Sequence, residues 1–119
     1  MAKIKLPMPP SVNALYANAI HGRIKTGAYN RWLQEALQEI VAQRVPYVPG
    51  HVVITAAVPR GNTRRDLDGT IKALLDVITK GYVIGDDSQV DEIHLRWDTL
   101  PQCSITVEEK EKEKNGTNP

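Results

Sequence analysis

Residues 51–58 read H-V-V-I-T-A-A-V, and Pro59 follows. Side chains alternate between faces along a strand, so an apolar run at consecutive positions predicts a central strand covered on both faces. Such a strand needs neighbours beside it and helices above it, and the flanking sequence supplies both. On the N-terminal side, Tyr29, Leu33, Ala36, Leu37 and Ile40 recur at helical spacing. They predict a helix over 27–44, with Thr26 as its N-cap and Pro46 beyond its end. Residues 3–6, K-I-K-L, alternate as a short strand that stops at P-M-P-P. The intervening S-V-N-A-L-Y-A-N-A-I-H-G-R-I-K is weakly patterned and reads as an ordered loop.

On the C-terminal side, Ile71, Leu74, Leu75 and Ile78 share one face of a second helix over 68–80, and Gly81 sits where a left-handed stop is expected. Residues 90–98 place Ile93, Leu95 and Trp97 on one face, and 102–108 do the same with Cys103, Ile105 and Val107. The L-P-Q between them can turn a hairpin. The order β-α-β-α-β-β predicts an α/β two-layer sandwich, a mixed sheet with two helices on one face. Residues 1–107 form the predicted domain, and 108–119, E-E-K-E-K-E-K-N-G-T-N-P, a charged disordered tail.

Bulk composition narrows the function. The net charge of +1 over 119 residues argues against a tail-driven polyanion binder and leaves room for a local basic patch. A lone cysteine, Cys103, supplies neither an internal disulfide nor a zinc pair. No apolar run reaches membrane-spanning length, and the start M-A-K-I-K-L-P lacks a signal-peptide core. The expectation is a cytoplasmic protein with no membrane partner. A chain this small exposes much of its surface, which makes a homodimer a natural remedy.

The chemistry concentrates in two stretches, R-R-D-L-D-G-T-I-K at 64–72 and D-D-S-Q-V at 86–90. Asp66 and Asp68 stand at the mouth of the second helix, with Lys72 one turn beyond Asp68. Helix capping explains one such aspartate. Two of them, joined by the Asp86–Asp87 pair if the fold brings it back, would repel one another and call for a cation. Magnesium suits such a place, being a hard ion that takes oxygen ligands and keeps waters for chemistry. Lys72 would neutralise charge on a phosphate, or else merely pair with Asp68 or Asp76. Arg60, Arg64 and Arg65 lie just before the first aspartate, and Lys80 and Arg23 could widen the basic surface. They either draw a polyanion toward the acids or simply balance them.

Other readings fail on spacing. With Asp66 at position one of an EF-hand loop, Ile71 falls where glycine is required. His21, His51 and His94 show no ligand spacing, neither Ser11 nor Ser88 has nucleophile-elbow glycines, and no phosphate-binding loop motif occurs.

R-D-L-D-G-T-I-K, G-D-D-S-Q-V and the N-terminal L-P-M-P-P-S-V-N-A-L-Y, in this order and spacing, resemble the RusA family of Holliday-junction resolvases. The resemblance covers roughly residues 4–98. It implies a small homodimeric endodeoxyribonuclease, often carried by prophages, that acts on four-way DNA junctions with Mg²⁺. Asp66, Asp68 and Asp87 would be the metal-binding catalytic acids, with Asp86 a possible further ligand, and Lys72 the catalytic lysine. Pro9, Pro10, Ser11, Asn13 and Tyr16 match the N-terminal motif, where Ser11 and Asn13 would shape the site or touch DNA. The family's usual Asn after the second aspartate is Gly69 in this chain. Two other expectations stay open beside the nuclease: a non-catalytic binder of branched or single-stranded DNA, and an interaction module whose aspartates are only caps.

Overall fold

The computed structural model describes residues 1–10, 16–19, 22–60 and 66–110. Strand β1 (Ala2–Leu6) is followed by β2 (Tyr16–Ala19), β3 (Gly22–Lys25), helix α1 (Gly27–Ala42), β4 (Val52–Pro59), helix α2 (Ile71–Lys80), β5 (Val90–Asp98) and β6 (Cys103–Glu109). A 3-10 turn, Leu67–Thr70, leads into α2, and a second, Asp87–Gln89, leads into β5.

The sheet runs β1-β6-β4-β5, with β4 parallel to β5 and antiparallel to β6. The apolar stretch thus takes a central place, as its composition requires. Its burial alternates at first: Val52, Ile54, Ala56 and Val58 face the core, whereas Val53 and Thr55 are half-buried on the opposite face. Cover on both faces was the wrong inference, because small and β-branched residues suffice to fill the open face between neighbouring strands.

The hairpin expected from L-P-Q is also absent. Strands β5 and β6 are not paired; β4 lies between them. The physical reason is polarity. Strand β5 carries Asp91, Glu92, His94 and Arg96, all exposed, and charged strands belong at edges. The β4–α2–β5 crossover delivers it there, since a parallel partner requires a long connection.

Residues 11–25, read as a loop, contain a hairpin instead. Strands β2 and β3 pair antiparallel, with Tyr16 opposite Lys25 and Asn18 opposite Arg23. A two-stranded ribbon of four residues per strand gives too short an alternation to be seen in sequence.

The core joins the inner sheet face to Tyr29, Trp32, Leu33, Ala36 and Ile40 of α1 and to Ala73, Leu74, Val77 and Ile78 of α2. Thr26 caps α1 as expected, its Oγ1 accepting from the Tyr29 N–H at 3.2 Å. Trp32 was not foreseen; its Nε1 donates to the Pro7 carbonyl at 2.9 Å and ties the proline loop to α1. The buried stripe of α2 is turned from the predicted one, leaving Ile71 and Leu75 only half-buried. The left-handed residue after α2 is Tyr82 (φ +61°), not Gly81 (φ −80°). Gly81 is required for space: a Cβ there would stand 2.7 Å from Ile40 Cδ1.

The exposed edge of β1 is covered by one side chain. Gln43 accepts from the Lys5 N–H at 2.9 Å and donates to the Lys5 carbonyl at 2.8 Å, as a neighbouring strand would. At the far end, β6 continues through Glu108 and Glu109, two residues into the stretch assigned to the tail; residues 111–119 lie outside the described residues.

Candidate active site

Asp66 occupies the N-cap position of the Leu67–Thr70 turn with extended backbone, yet its side chain makes no capping hydrogen bond. Asp68, in the first turn, is exposed as well. The turn is held from inside: Thr70 is fully buried, and its hydroxyl donates to the Leu67 carbonyl at 2.8 Å. Leu67 is half-buried, so the alternation around it leaves both carboxylates in solvent. Capping therefore does not account for Asp66. Among the described residues no cation pairs with Asp66, Asp68 or Asp87.

Asp86 has the role that Asp66 lacks. It caps the Asp87–Gln89 turn, accepting from the Ser88 N–H at 3.1 Å, and Gln89 completes a capping box. The Ser88 side-chain and backbone hydrogen bonds hold the Asp86 carboxyl below the usual carboxylate range. Gln89 Oε1 accepts from the N–H groups of Gly85 (2.6 Å) and Asp86 (3.2 Å), while Nε2 donates to the carbonyls of Val48 (3.2 Å) and Gly50 (2.8 Å). One amide thus fastens the acidic turn to the loop before β4. The exposed Asp87 is carried by this anchored frame.

The frame brings Asp86 and Asp87 back against α2. With Leu75, Asp76, Thr79 and Lys80 they line an open cleft of about 250 Å³. The cleft lies along the C-terminal half of α2. Asp68 precedes Asp76 by eight residues, roughly 12 Å at the helical rise. Among the described residues no three acidic, histidine or cysteine side chains gather closely enough to hold a metal. The donors are hard carboxylate oxygens, Asp66, Asp68 and Asp87 of them without cation partners, and this chemistry fits Mg²⁺.

Three side chains of this region are not assigned to the site by the sequence: Asp76 is named there only as an ion-pair partner for Lys72, Tyr29 only as a core residue, and Lys25 not at all. Asp76 follows Asp68 and Lys72 at four-residue steps, so helical periodicity places it on the same face. Tyr29, from α1, donates its hydroxyl to Asp76 Oδ2. Burial, and next the Asp76 carboxylate, push that hydroxyl far above the tyrosine range. Lys25, at the end of β3, places its Nζ 5.9 Å from the Tyr29 ring centroid, and Lys72 Nζ lies 5.7 Å from that of Tyr16. The two tyrosines meet edge to face at 5.8 Å. Lys80, whose amine lies beside that of Lys25, is the main cause holding Lys25 below the lysine range, ahead of burial. Lys72 makes no ion pair with Asp68 or Asp76; it rests on an aromatic face instead.

Of the residues expected to meet DNA, Lys80 lines the cleft and Arg60 stacks on Trp97, its Cζ 5.5 Å from the ring centroid. Arg23 lies in β3, while Ser11, Asn13, Arg64 and Arg65 fall outside the described residues. His51 and His94 engage Asp91 (2.9 Å) and Glu92 (3.4 Å) around the polar β5 edge.

Exposed carboxylates, and lysines that form no ion pair among the described residues, thus stand along one short helix of an α/β domain. The sequence profile described as endodeoxyribonuclease RusA matches residues 7–108 of the 119. The chain belongs to the RusA family of endodeoxyribonucleases. No curated protein matches the sequence. No helix among the described residues is long and apolar enough to cross a membrane.

Proposed function

We propose that the protein is a Mg²⁺-dependent, structure-selective endodeoxyribonuclease that resolves four-way DNA junctions in the cytoplasm. The observation that carries this reading is the Leu67–Thr70 turn, which presents two exposed aspartates with no capping bond at Asp66 and no cation partner among the described residues, one helical turn before a lysine seated on an aromatic ring. Membership of the endodeoxyribonuclease RusA family supports DNA as the substrate, and branched DNA is the form this reading assigns.

Asp66, Asp68 and Asp87 are the residues that would hold the ion if their two turns draw together on the substrate, since among the described residues no three such side chains gather as they stand, and Asp86 is restrained by its cap. Mg²⁺ bound there supplies polarisation of the phosphoryl oxygens and a lower pKa for the attacking water. The chain's own residues do the rest. Lys72 offsets charge gathering on the phosphate in the transition state. Its aromatic seat on Tyr16 limits the geometries it can adopt, so less ordering remains to be done when substrate binds. Water adds to phosphorus and the 3′ oxygen leaves, giving 5′-phosphate and 3′-hydroxyl ends. A homodimer would carry two such sites, so that opposed strands are nicked as a symmetric pair. Recognition rests on backbone charge and branch shape more than on base edges.

Cleavage of a synthetic four-way junction with Mg²⁺ tests this, comparing wild type with Asp68→Asn. Paired nicks by wild type and none by the variant are expected; equal activity would remove Asp68 from catalysis. That no three such side chains gather closely enough for a metal among the described residues favours one alternative, a non-catalytic branched-DNA or single-stranded-DNA binding protein of the same fold. It predicts junction binding in EDTA with no nicking under any divalent ion.

A further inference from the structure

The β2–β3 hairpin brings to α2 a lysine that makes no ion pair with a described carboxylate, although the Asp76 charge lies near enough to act on it. Lys25 stands opposite Tyr16 in the hairpin register, over the ring of Tyr29, and beside Lys80. Lys72 sits on the other tyrosine of the edge-to-face pair. Three ammonium groups from two elements thus surround Asp76, whose Oδ2 already accepts from the Tyr29 hydroxyl. None of the three makes an ion pair with a described carboxylate. Folding has crowded like charges where elongated side chains could have spread into solvent, and the lowered proton affinity of Lys25 records that crowding. One carboxylate, Asp76, faces three ammonium groups and is already engaged by Tyr29, so a further anion would offset the remaining excess of positive charge.

Resting on the nuclease reading, we propose that Lys25, Lys72 and Lys80 form a pocket for one phosphodiester of the bound DNA, held by the Tyr16–Tyr29 pair. Lys25 is its unassigned member and touches substrate directly. The pocket borders the cleft of Asp86 and Asp87, and it offers nine N–H donors to an anion with tetrahedral oxygens. A phosphate seated there fixes the register of the strand and carries no sequence information. The hairpin is therefore a DNA-positioning element.

The test is equilibrium binding of a four-way junction in EDTA across a salt series, with wild type, Lys25→Gln and Lys25→Arg, alongside thermal melting and Mg²⁺ cleavage by wild type. Lys25→Gln is expected to lower the slope of log K against log salt by about 0.9, the signature of one lost phosphate contact, and to weaken binding on the order of tenfold. It should melt at or above the wild-type temperature, because a repulsion has gone, and Lys25→Arg should keep the wild-type slope. An unchanged slope in Lys25→Gln, with wild type binding and cutting, overturns the pocket and leaves the nuclease standing. A Lys25→Gln protein that melts below wild type also overturns it, since the lysine then serves the fold. Wild type that binds but never cuts defeats the nuclease alone, and the slope still judges the pocket. Wild type that binds no DNA defeats both.

Discussion

Two short turns carry the candidate acids, and each places an aspartate at its N-cap. In the Asp87–Gln89 turn the aspartate side chain accepts a backbone N–H and a glutamine closes the box. In the Leu67–Thr70 turn the aspartate caps nothing, and a buried threonine hydroxyl holds the turn from the other side. Residue type and position are the same; the use differs. Where a threonine does the structural work, the carboxylates are left available for chemistry. Where the aspartate does it, only its neighbour, Asp87, remains available.

Cleavage should break that symmetry most sharply. Asp68→Asn is expected to lower four-way-junction cleavage on the order of 10³-fold, the scale for removing one electrostatic stabiliser of a transition state. Asp86→Asn should stay within about tenfold of wild type, because asparagine caps a turn nearly as well as aspartate. Comparable losses in the two variants would mean that the capping aspartate also does chemistry.

Gln89 comes next. Its amide makes four hydrogen bonds that fix the second turn to the loop at 48–50. Partly exposed bonds of this kind contribute less than buried ones, so Gln89→Ala should cost roughly 2 kcal/mol in urea unfolding. Cleavage should fall with it, since Asp87 would lose its anchored frame. A stable Gln89→Ala protein with full activity would show that the turn is held by α2 alone.

The unequal roles of the turns also explain what could be read in advance. The two helices and the four longer strands follow from periodicity and local chemistry, which is why Thr26 and most of the α1 stripe stand as expected. What escaped reading depends on long-range pairing. Strand β4 divides β5 from β6 because its neighbours were chosen by burial, not by the length of L-P-Q. Lys25 and Tyr29 reach Asp76 from elements about 50 residues away, and no local spacing encodes that meeting. Gln89 was quoted in a motif, but only the folded chain reveals that its four partners lie on two segments.

Acid should separate the turns further. Asp86 is held below the carboxylate range by Ser88, so its folded-state value lies under the unfolded one. A group shifted in this direction contributes stability above the unfolded value, about pH 4, and loses it as pH falls through the folded value. Wild type should therefore melt above Asp86→Ala at neutral pH, and the gap should close below about pH 4. A gap that persists in acid would assign the stabilisation to something other than the ionised cap.

The smallest expected effect is the most pointed. An aspartate that caps a helix loses about 1 kcal/mol of stability when replaced by alanine. Asp66 stands at the cap position with the right backbone, φ −75° and ψ 140°, and still makes no capping bond. Asp66→Ala should therefore leave the unfolding free energy within about 0.5 kcal/mol of wild type, as an exposed side chain without partners would. Thr70→Val provides the contrast, because it leaves the Leu67 carbonyl without its buried donor and should cost about 1 kcal/mol. If Asp66→Ala proves the more destabilising of the two, the carboxylate supports the turn after all, and its freedom to serve a reaction is lost.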